Sequence, residues 1–379
     1  MTPPVVIDLH KAEDARDVVH RAVQALAEGH LVAFPTETVY GLAASALSEK
    51  GVSRLLNVKS RPPGQPVTLA VKSPDDALDY VPTICPLARR LARRCWPGPL
   101  TLVLDDDHPD SVTKQLPSVV QQAVSPGNTI GLRVPAHPII HSVLRLSAGP
   151  IALTSANPRG GADPVTAEEV VNNLGDEVTL VLNDGRAKFG QPSSVVRVHD
   201  GKLELLRAGV ITEKMLKGLS SLLVLFVCTG NTCRSPMAAA MFRRRVSEKV
   251  KCTEAELEER GVMIASAGIA AMAGGRASPY SLETMRERSI DLSNHESQPL
   301  SDRLVRFADV ILTLTHGHRE ALLSQWHNAA ERTFLLNPDG YDISDPIGGT
   351  IDVYKSCAEQ IDDSLTVWLD RLDFNSIPT

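Results

Sequence analysis

Cysteine is scarce in this sequence: the six present (Cys85, Cys95, Cys228, Cys233, Cys252 and Cys357) among 379 residues are too few for a disulfide scaffold and suit a reducing compartment. Long apolar runs are missing as well. No window approaches the roughly 18 apolar residues of a membrane-spanning helix. The opening MTPPVVIDLHKAED has neither the basic n-region nor the apolar h-region of a signal peptide. These absences lead to the expectation of a soluble, cytoplasmic protein with no membrane partner. Charge of one sign does not dominate either. A formal net charge of -6 and an isoelectric point near 6.0 exert no general pull on nucleic acid or anionic membrane, so anion binding must come from local clusters. Internal repeats and low-complexity tracts are also missing.

A hydrophobic content of 43% in a chain of this length allows roughly two domains, each with its own core. The first half alternates helical and β-branched segments. The pattern predicts a helix over 14–28, a strand at 31–34, a turn over 36–42, and strands at 66–71, 100–104, 130–134, 151–154, 178–182, 194–198 and 203–207. Residues 212–221 (TEKMLKGLSS) are polar with no strong pattern, which puts a boundary between domains spanning 1–213 and 222–379. The run LLVLFV at 222–227 then has the continuous apolar character of a strand buried on both faces of a parallel sheet. Helices at 236–250, 279–288 and 351–372 and strands at 262–266 and 310–314 follow. Both halves read as α/β.

Directly after the buried run stands Cys228-Thr229-Gly230-Asn231-Thr232-Cys233-Arg234-Ser235-Pro236. A loop of this length at a helix N-terminus turns successive backbone N–H groups inward, a nest for a tetrahedral dianion, and Gly230 and Asn231 tolerate the positive φ angles it requires. Cys228, at its start, is the candidate nucleophile, because that field stabilises a thiolate able to attack phosphorus in line. Arg234 offers a planar fork to two phosphoryl oxygens. Ser235 can donate to the thiolate, and Pro236 suits a first helical turn. The leaving group needs a proton; Asp345, next to Pro346, is the candidate acid, with Asp342 the second choice. Cys233 reads equally as an inward-packed loop cysteine or as a disulfide partner for Cys228 under oxidation.

The motif Val227 to Met237 (VCTGNTCRSPM), together with Ser266-Ala267-Gly268, Ile290-Asp291-Leu292-Ser293 with His295, Ala308-Asp309-Val310-Ile311-Leu312 and Asp345-Pro346, resembles the low-molecular-weight protein tyrosine phosphatase family. The resemblance implies a three-layer, Rossmann-like parallel sheet and a cysteinyl-phosphate on Cys228. It implies that phosphate is held by Arg234 and the loop residues Thr229, Gly230, Asn231, Thr232, Cys233 and Ser235. Asp345 would serve as acid and then base, no cofactor would be needed, and the partners would be phosphoproteins. Tyrosine-specific members usually carry a bulky aliphatic residue at the position of Thr232 and aromatic residues after the Asp-Pro. The small Thr232 and the segment Asp345-Pro346-Ile347-Gly348-Gly349 look more like the protein arginine phosphatase branch, although that branch tends to have an aromatic residue at the position of Ile347. Phosphoarginine is therefore favoured over phosphotyrosine. A redox sensor using Cys228 and Cys233 without turnover and an arsenate reductase are the rival readings.

In the first half, Lys59-Ser60-Arg61-Pro62-Pro63 puts two cations two residues apart, so both can face one polyanion, although an isolated pair of this kind is more often a solvated basic surface. Ser155-Ala156-Asn157-Pro158 follows the strand at 151–154, at the carboxyl end of a strand where α/β sheets commonly bind ligands. With Phe34 to Leu42 (FPTETVYGL), Trp96 to Thr101 (WPGPLT), Gly131 to Pro138 (GLRVPAHP), Pro192 to Val196 (PSSVV) and Leu206 to Gly209 (LRAG), these segments resemble the YrdC-like threonylcarbamoyl-adenylate synthase family over about Val18 to Gly209. The resemblance implies a twisted mixed-sheet α/β domain with a concave basic cavity for ATP, L-threonine and bicarbonate, and a product that serves transfer RNA modification. It implies that Thr36 contacts threonine and that Lys59, Arg61 and Arg207 contact the phosphates. Arg133, Ser155, Asn157 and Ser193 would hold the remaining groups. Mg2+ would accompany ATP, no metal-ligating residues are expected, and tRNA-modification enzymes become candidate partners. Pro66-Val67 stands where the family usually has Pro-Leu, and Ala70 where many members carry histidine. The rival reading is a nucleotide- or RNA-binding module without synthase activity.

Overall fold

The computed structural model describes residues 3–62, 64–372 and 374; Pro63, at the end of the basic stretch, and the outermost residues of the two expected domains lie outside these. The chain divides into two compact units, Met1–Leu216 and Lys217–Thr379. No helix among the described residues is long and apolar enough to cross a membrane.

The first unit is built on a ten-stranded mixed sheet. Its strands are β1 (Val5–Asp8), β2 (Val32–Phe34), β3 (Gly41–Ser45), β4 (Thr68–Ala70), β5 (Leu100–Asp105), β6 (Thr129–Arg133), β7 (Ile151–Ser155), β8 (Leu180–Asn183), β9 (Ser194–His199) and β10 (Lys202–Arg207), in the order β1-β8-β2-β3-β7-β4-β6-β5-β9-β10. Two strands depart from the expectation. The residues read as a turn to 42 give way at Gly41 to β3, whose GLAAS sequence is too small-residued to read as a strand yet pairs antiparallel with both β2 and β7. β1, near the N-terminus, pairs in parallel with β8. The amphipathic helix Ala15–Ala27 starts where Asp14 accepts a hydrogen bond from the Arg16 N–H (2.8 Å), and buries Val18, Val19, Ala22 and Leu26 at helical spacing.

The second unit holds a four-stranded parallel sheet: β11 (Leu222–Cys228), β12 (Val262–Gly268), β13 (Val310–Thr313) and β14 (Thr333–Leu335), in the order β12-β11-β13-β14. Every residue of β11 is buried because its alternate side chains feed two cores. Leu222, Val224, Phe226 and Cys228 join one with Met237, Phe242, Met285 and Ile361. Leu223, Leu225 and Val227 join another with Val305, Ile311 and Leu322. The helices Arg234–Val250, Pro279–Glu287 and Ile351–Arg371 bury residues in the first core, and Asp302–Phe307 and His316–Gln325 in the second. This is the three-layer arrangement. The 212–221 stretch, expected to lack pattern, contains a helix, Glu213–Ser220. The Thr212 hydroxyl accepts from the Met215 N–H (3.3 Å) and Leu216 is buried, which suffices to wind two turns of otherwise polar sequence.

Candidate active sites

In the second unit the parallel sheet delivers Cys228 at the carboxyl end of β11, and the helix Arg234–Val250 begins six residues later. The intervening loop closes because Asn231 adopts φ 54°; Gly230 needs no such angle. Asn231 is fully buried and latched from four sides. Its side-chain amide donates to the Ser235 hydroxyl (2.9 Å) and the Ser266 hydroxyl (2.8 Å), and its Oδ1 accepts from the Gln298 N–H (2.9 Å). Its carbonyl lies 2.7 Å from His295 Nε2, whose pKa burial lowers, leaving a neutral imidazole that donates there. The turn points the Asn231 N–H at Cys228 Sγ (3.3 Å), while the Ser235 hydroxyl lies 2.9 Å from the same sulfur. The Asn231 N–H, a donor, and the Ser235 hydroxyl thus converge on one buried sulfur.

Arg234 is buried, and its guanidinium donates to Asp345 Oδ2 (2.6 Å) and the Ile343 carbonyl (3.3 Å). Asp345 is half exposed. Of the two candidate acids only Asp345 is brought onto the loop arginine. Asp342 turns to His316 instead, accepting from its backbone N–H (2.7 Å) and contacting its Nδ1 (2.8 Å); that backbone bond above all holds the carboxyl below its usual range. Thr232 is partly buried with its hydroxyl 3.6 Å from Cys233 Sγ, and Cys233 packs against the Tyr354 hydroxyl (3.5 Å). Burial pushes the Cys357 thiol up to about 12, which makes it inert at neutral pH. One neighbour carried no sequence signal: His318, at the start of the helix His316–Gln325, places Nε2 2.8 Å from the Thr229 hydroxyl while its Nδ1 is buried without a partner. Burial, with the charge of Arg234 adding to it, pushes His318 down to about 4.

In the first unit a cavity of about 360 Å³ opens over the sheet. The strand residues that line it are Gly41, Thr68, Thr101 and Val103, Gly131 and Arg133, Leu153, Thr154 and Ser155, and Val195; apart from Thr154 they alternate along their strands. That period of two is the signature of one sheet face. Thr36, Lys59, Arg61, Arg133, Ser155, Asn157, Ser193 and Arg207 all line this one cavity, although they come from distant parts of the chain.

Each side chain is held in place. The Thr36 hydroxyl donates to the Val39 carbonyl (2.6 Å) and accepts from the Thr38 N–H (3.2 Å), a local turn that stops the preceding strand. Lys59 Nζ bonds the Ser155 carbonyl (3.0 Å) and the Asn157 carbonyl and Oδ1 (2.8 Å for the last). Arg61 bonds the Pro66 carbonyl and Thr154 Oγ1. Arg207 grips Ser193 through its carbonyl (2.8 Å) and hydroxyl (3.1 Å). Arg133 pairs with the buried Glu37 (2.7 Å) and donates to Thr38 Oγ1 (2.9 Å). Burial lowers Lys59 to about 8, with the charge of Arg61 adding to it, and burial also lowers Arg61 and Arg207. So many cations in a half-desolvated cavity await an anion. Glu37, Thr38, Thr101 and Arg159 were not singled out from the sequence. Glu37 and Thr38 lie inside the quoted FPTETVYGL, and Arg159 follows Pro158 directly, so the motifs themselves pointed there.

Residues 24–209 match the Sua5/YciO/YrdC family, described as telomere recombination, and residues 223–376 match the low molecular weight phosphotyrosine protein phosphatase family. The chain is 38% identical over 183 residues to a threonylcarbamoyl-AMP synthase of Pyrococcus abyssi, covering 48% of this chain and 51% of that protein. It thus spans about half the length of that relative. A candidate threonylcarbamoyl-AMP synthase of Methanocaldococcus jannaschii is 31% identical over 206 residues, 54% of this chain and 91% of that one. A protein-arginine-phosphatase of Bacillus subtilis is 38% identical over 146 residues, 38% of this chain and 91% of that protein.

Proposed function

This chain belongs to the Sua5/YciO/YrdC family through its first unit and to the low molecular weight phosphotyrosine protein phosphatase family through its second, and we propose that it is a bifunctional enzyme. The first unit makes L-threonylcarbamoyl-AMP from L-threonine, bicarbonate and ATP. The convergence of Lys59, Arg61, Arg133 and Arg207 with Thr36, Ser155, Asn157 and Ser193 in one cavity carries this reading. Bicarbonate carboxylates the threonine amine, forming the N–C bond as a C–O bond of bicarbonate breaks and water leaves; the new carboxylate attacks the α-phosphorus, and the bond to the departing pyrophosphate breaks. Cations and hydroxyls held by the protein neutralise and orient the reacting groups, so no covalent intermediate with the chain is required. Among the described residues no group of three or more His, Cys, Asp or Glu side chains could hold a metal ion. The divalent ion, Mg2+, accompanies ATP as part of the substrate. The product passes to tRNA-modification enzymes, in a reducing cytoplasm that six free thiols suit. Pyrophosphate release that requires ATP, threonine and bicarbonate together tests the assignment. Nucleotide binding without release would reduce the unit to a binding module.

The second unit hydrolyses phosphoproteins. The convergence of the Asn231 N–H and the Ser235 hydroxyl on Cys228 Sγ, with Arg234 and Asp345 alongside, carries this reading. The thiolate attacks phosphorus, the bond to the leaving group breaks, and Asp345 gives the leaving atom its proton. Water then attacks the cysteinyl-phosphate as Asp345 takes a proton back, and phosphate departs. Arg234 turns from Asp345 to the phosphoryl oxygens as the dianion enters. The phosphorylated residue is arginine. The small Thr232 leaves room for a planar guanidinium and Asp345 offers it a carboxylate, and the arginine phosphatase among the relatives matches over 91% of its length. Paired phosphoarginine and phosphotyrosine peptides test this: wild type prefers the former, and Thr232→Ile moves preference toward the latter. Strong wild-type preference for phosphotyrosine overturns the substrate assignment, and hydrolysis by Cys228→Ser overturns the mechanism.

A further inference from the structure

Five cationic side chains line the cavity of the first unit: Lys59, Arg61, Arg133, Arg159 and Arg207. Four are already bonded to protein groups. Arg159 is the exception. It lines the cavity from an exposed position, and among the described residues it has neither a hydrogen bond nor an ion pair. Its charge nonetheless reaches into the site: after burial, Arg159 is the main cause lowering the pKa of Arg61. It is followed by Gly160, at φ 77° with open space beside its α-carbon, so the arginine can swing without displacing packed side chains.

Two guanidinium groups that line one cavity and whose charges act on each other are unfavourable unless an anion bridges them. Among the described residues, the carboxylates that act on the cavity's cations are engaged elsewhere. Glu37 is spent on Arg133, and the electrostatic influence of Asp163 falls on Lys59 and Arg207. Lys59, Arg61 and Arg207, the interior cations not paired with Glu37, can balance the charge of a nucleoside monophosphate, whereas a triphosphate carries more negative charge than these three. We infer that Arg159 is a substrate-binding residue that closes, with Arg61, onto the polyphosphate of the nucleoside triphosphate beyond its α-phosphate. It thereby stabilises the charge that collects on the departing pyrophosphate. The inference rests on the nucleotide-dependent activity proposed for the first unit and adds to it a residue outside the motifs that carry the family resemblance.

The test is calorimetric binding of ATP and of AMP to the full chain as wild type, Arg159→Ala and Arg159→Lys, with pyrophosphate release measured in parallel. Loss of one charge-assisted contact corresponds to roughly a tenfold or greater fall in affinity. Arg159→Ala is expected to weaken ATP by that factor, to leave AMP unchanged, and to show a shallower decline of ATP affinity with salt; Arg159→Lys recovers most of the loss. Unchanged ATP affinity in Arg159→Ala, or equal loss for ATP and AMP, overturns the inference while wild-type pyrophosphate release keeps the synthase reading intact. Failure of the wild type to bind either nucleotide removes both.

Discussion

Adding one methyl group at Gly268 tests how finely the phosphatase loop is seated. Gly268 ends β12 directly beside the loop. A Cβ built there would lie 2.4 Å from the Thr229 carbonyl oxygen, 2.9 Å from the Asn231 nitrogen and 2.8 Å from Ala271 Cβ. Restoring even a 3.0 Å separation from the Thr229 oxygen demands a shift of about 0.6 Å, and ordinary contact demands more. Two of these atoms are backbone and the third is a Cβ fixed to its own backbone, so none can rotate aside. Thr229 is tied by its carbonyl to the Ala270 N–H (3.0 Å), and Asn231 by the bonds to Ser235, Ser266 and Gln298. The strain therefore falls on the Asn231 N–H that points at Cys228 Sγ. A misplacement approaching 1 Å costs on the order of 100-fold in rate, and overpacking costs about 1–3 kcal/mol of stability. Gly268→Ala should lower kcat of phosphopeptide hydrolysis by roughly that factor, while pyrophosphate release by the first unit is unaffected. Steady-state kinetics of both activities on one preparation measures this. Near wild-type hydrolysis by Gly268→Ala would refute the claim that loop and strand are in close, unyielding contact.

Three further outcomes are expected of this protein. Lys59, held down to about 8 by burial, loses its charge as pH rises through that value, so ATP affinity should fall above about pH 8. In the window from 8 to its ordinary 10.5 the unfolded chain binds the extra proton, so this group makes the first unit more stable as pH rises there; calorimetric titration and denaturation across pH 7 to 11 check both, with Lys59→Arg flattening the binding profile. His318, pushed down from 6.5 to about 4 chiefly by burial and further by Arg234, with Asp345 and Asp342 opposing, binds its proton more readily when unfolded. Its contribution is present above 6.5 and is lost as pH falls toward 4, a cost on the order of 3 kcal/mol. Urea denaturation of the second unit should show this, and His318→Gln should remove most of the slope. Glu37→Ala leaves Arg133 buried and unpaired, and should destabilise the first unit by about 3–5 kcal/mol, read by denaturant unfolding of that unit.

What the sequence determined by itself is what a continuous segment can encode. The loop from Cys228 to Ser235 was legible because strand, positive-φ asparagine, arginine and helix start follow one another, and because the β11 run is apolar on both faces. The wide spread of Pro, Gly and β-branched runs marked most of the first unit's strands. β3 escaped because its small residues resemble a turn until two neighbouring strands cover them, and the helix Glu213–Ser220 because a threonine cap and one buried leucine leave no periodic trace. Tertiary structure separates Asp345 from Asp342, which the sequence had already placed second, since the loop bearing both sends one to Arg234 and the other to His316. It alone brought His318 to Thr229, paired Glu37 with Arg133, and left Arg159 without a partner among the described residues, at the wall of a cavity whose parts are scattered over more than half of the first unit. Short spacing fixes backbone conformation, but charge pairing and burial depend on side chains far apart in the chain, and these meet only when the sheets assemble.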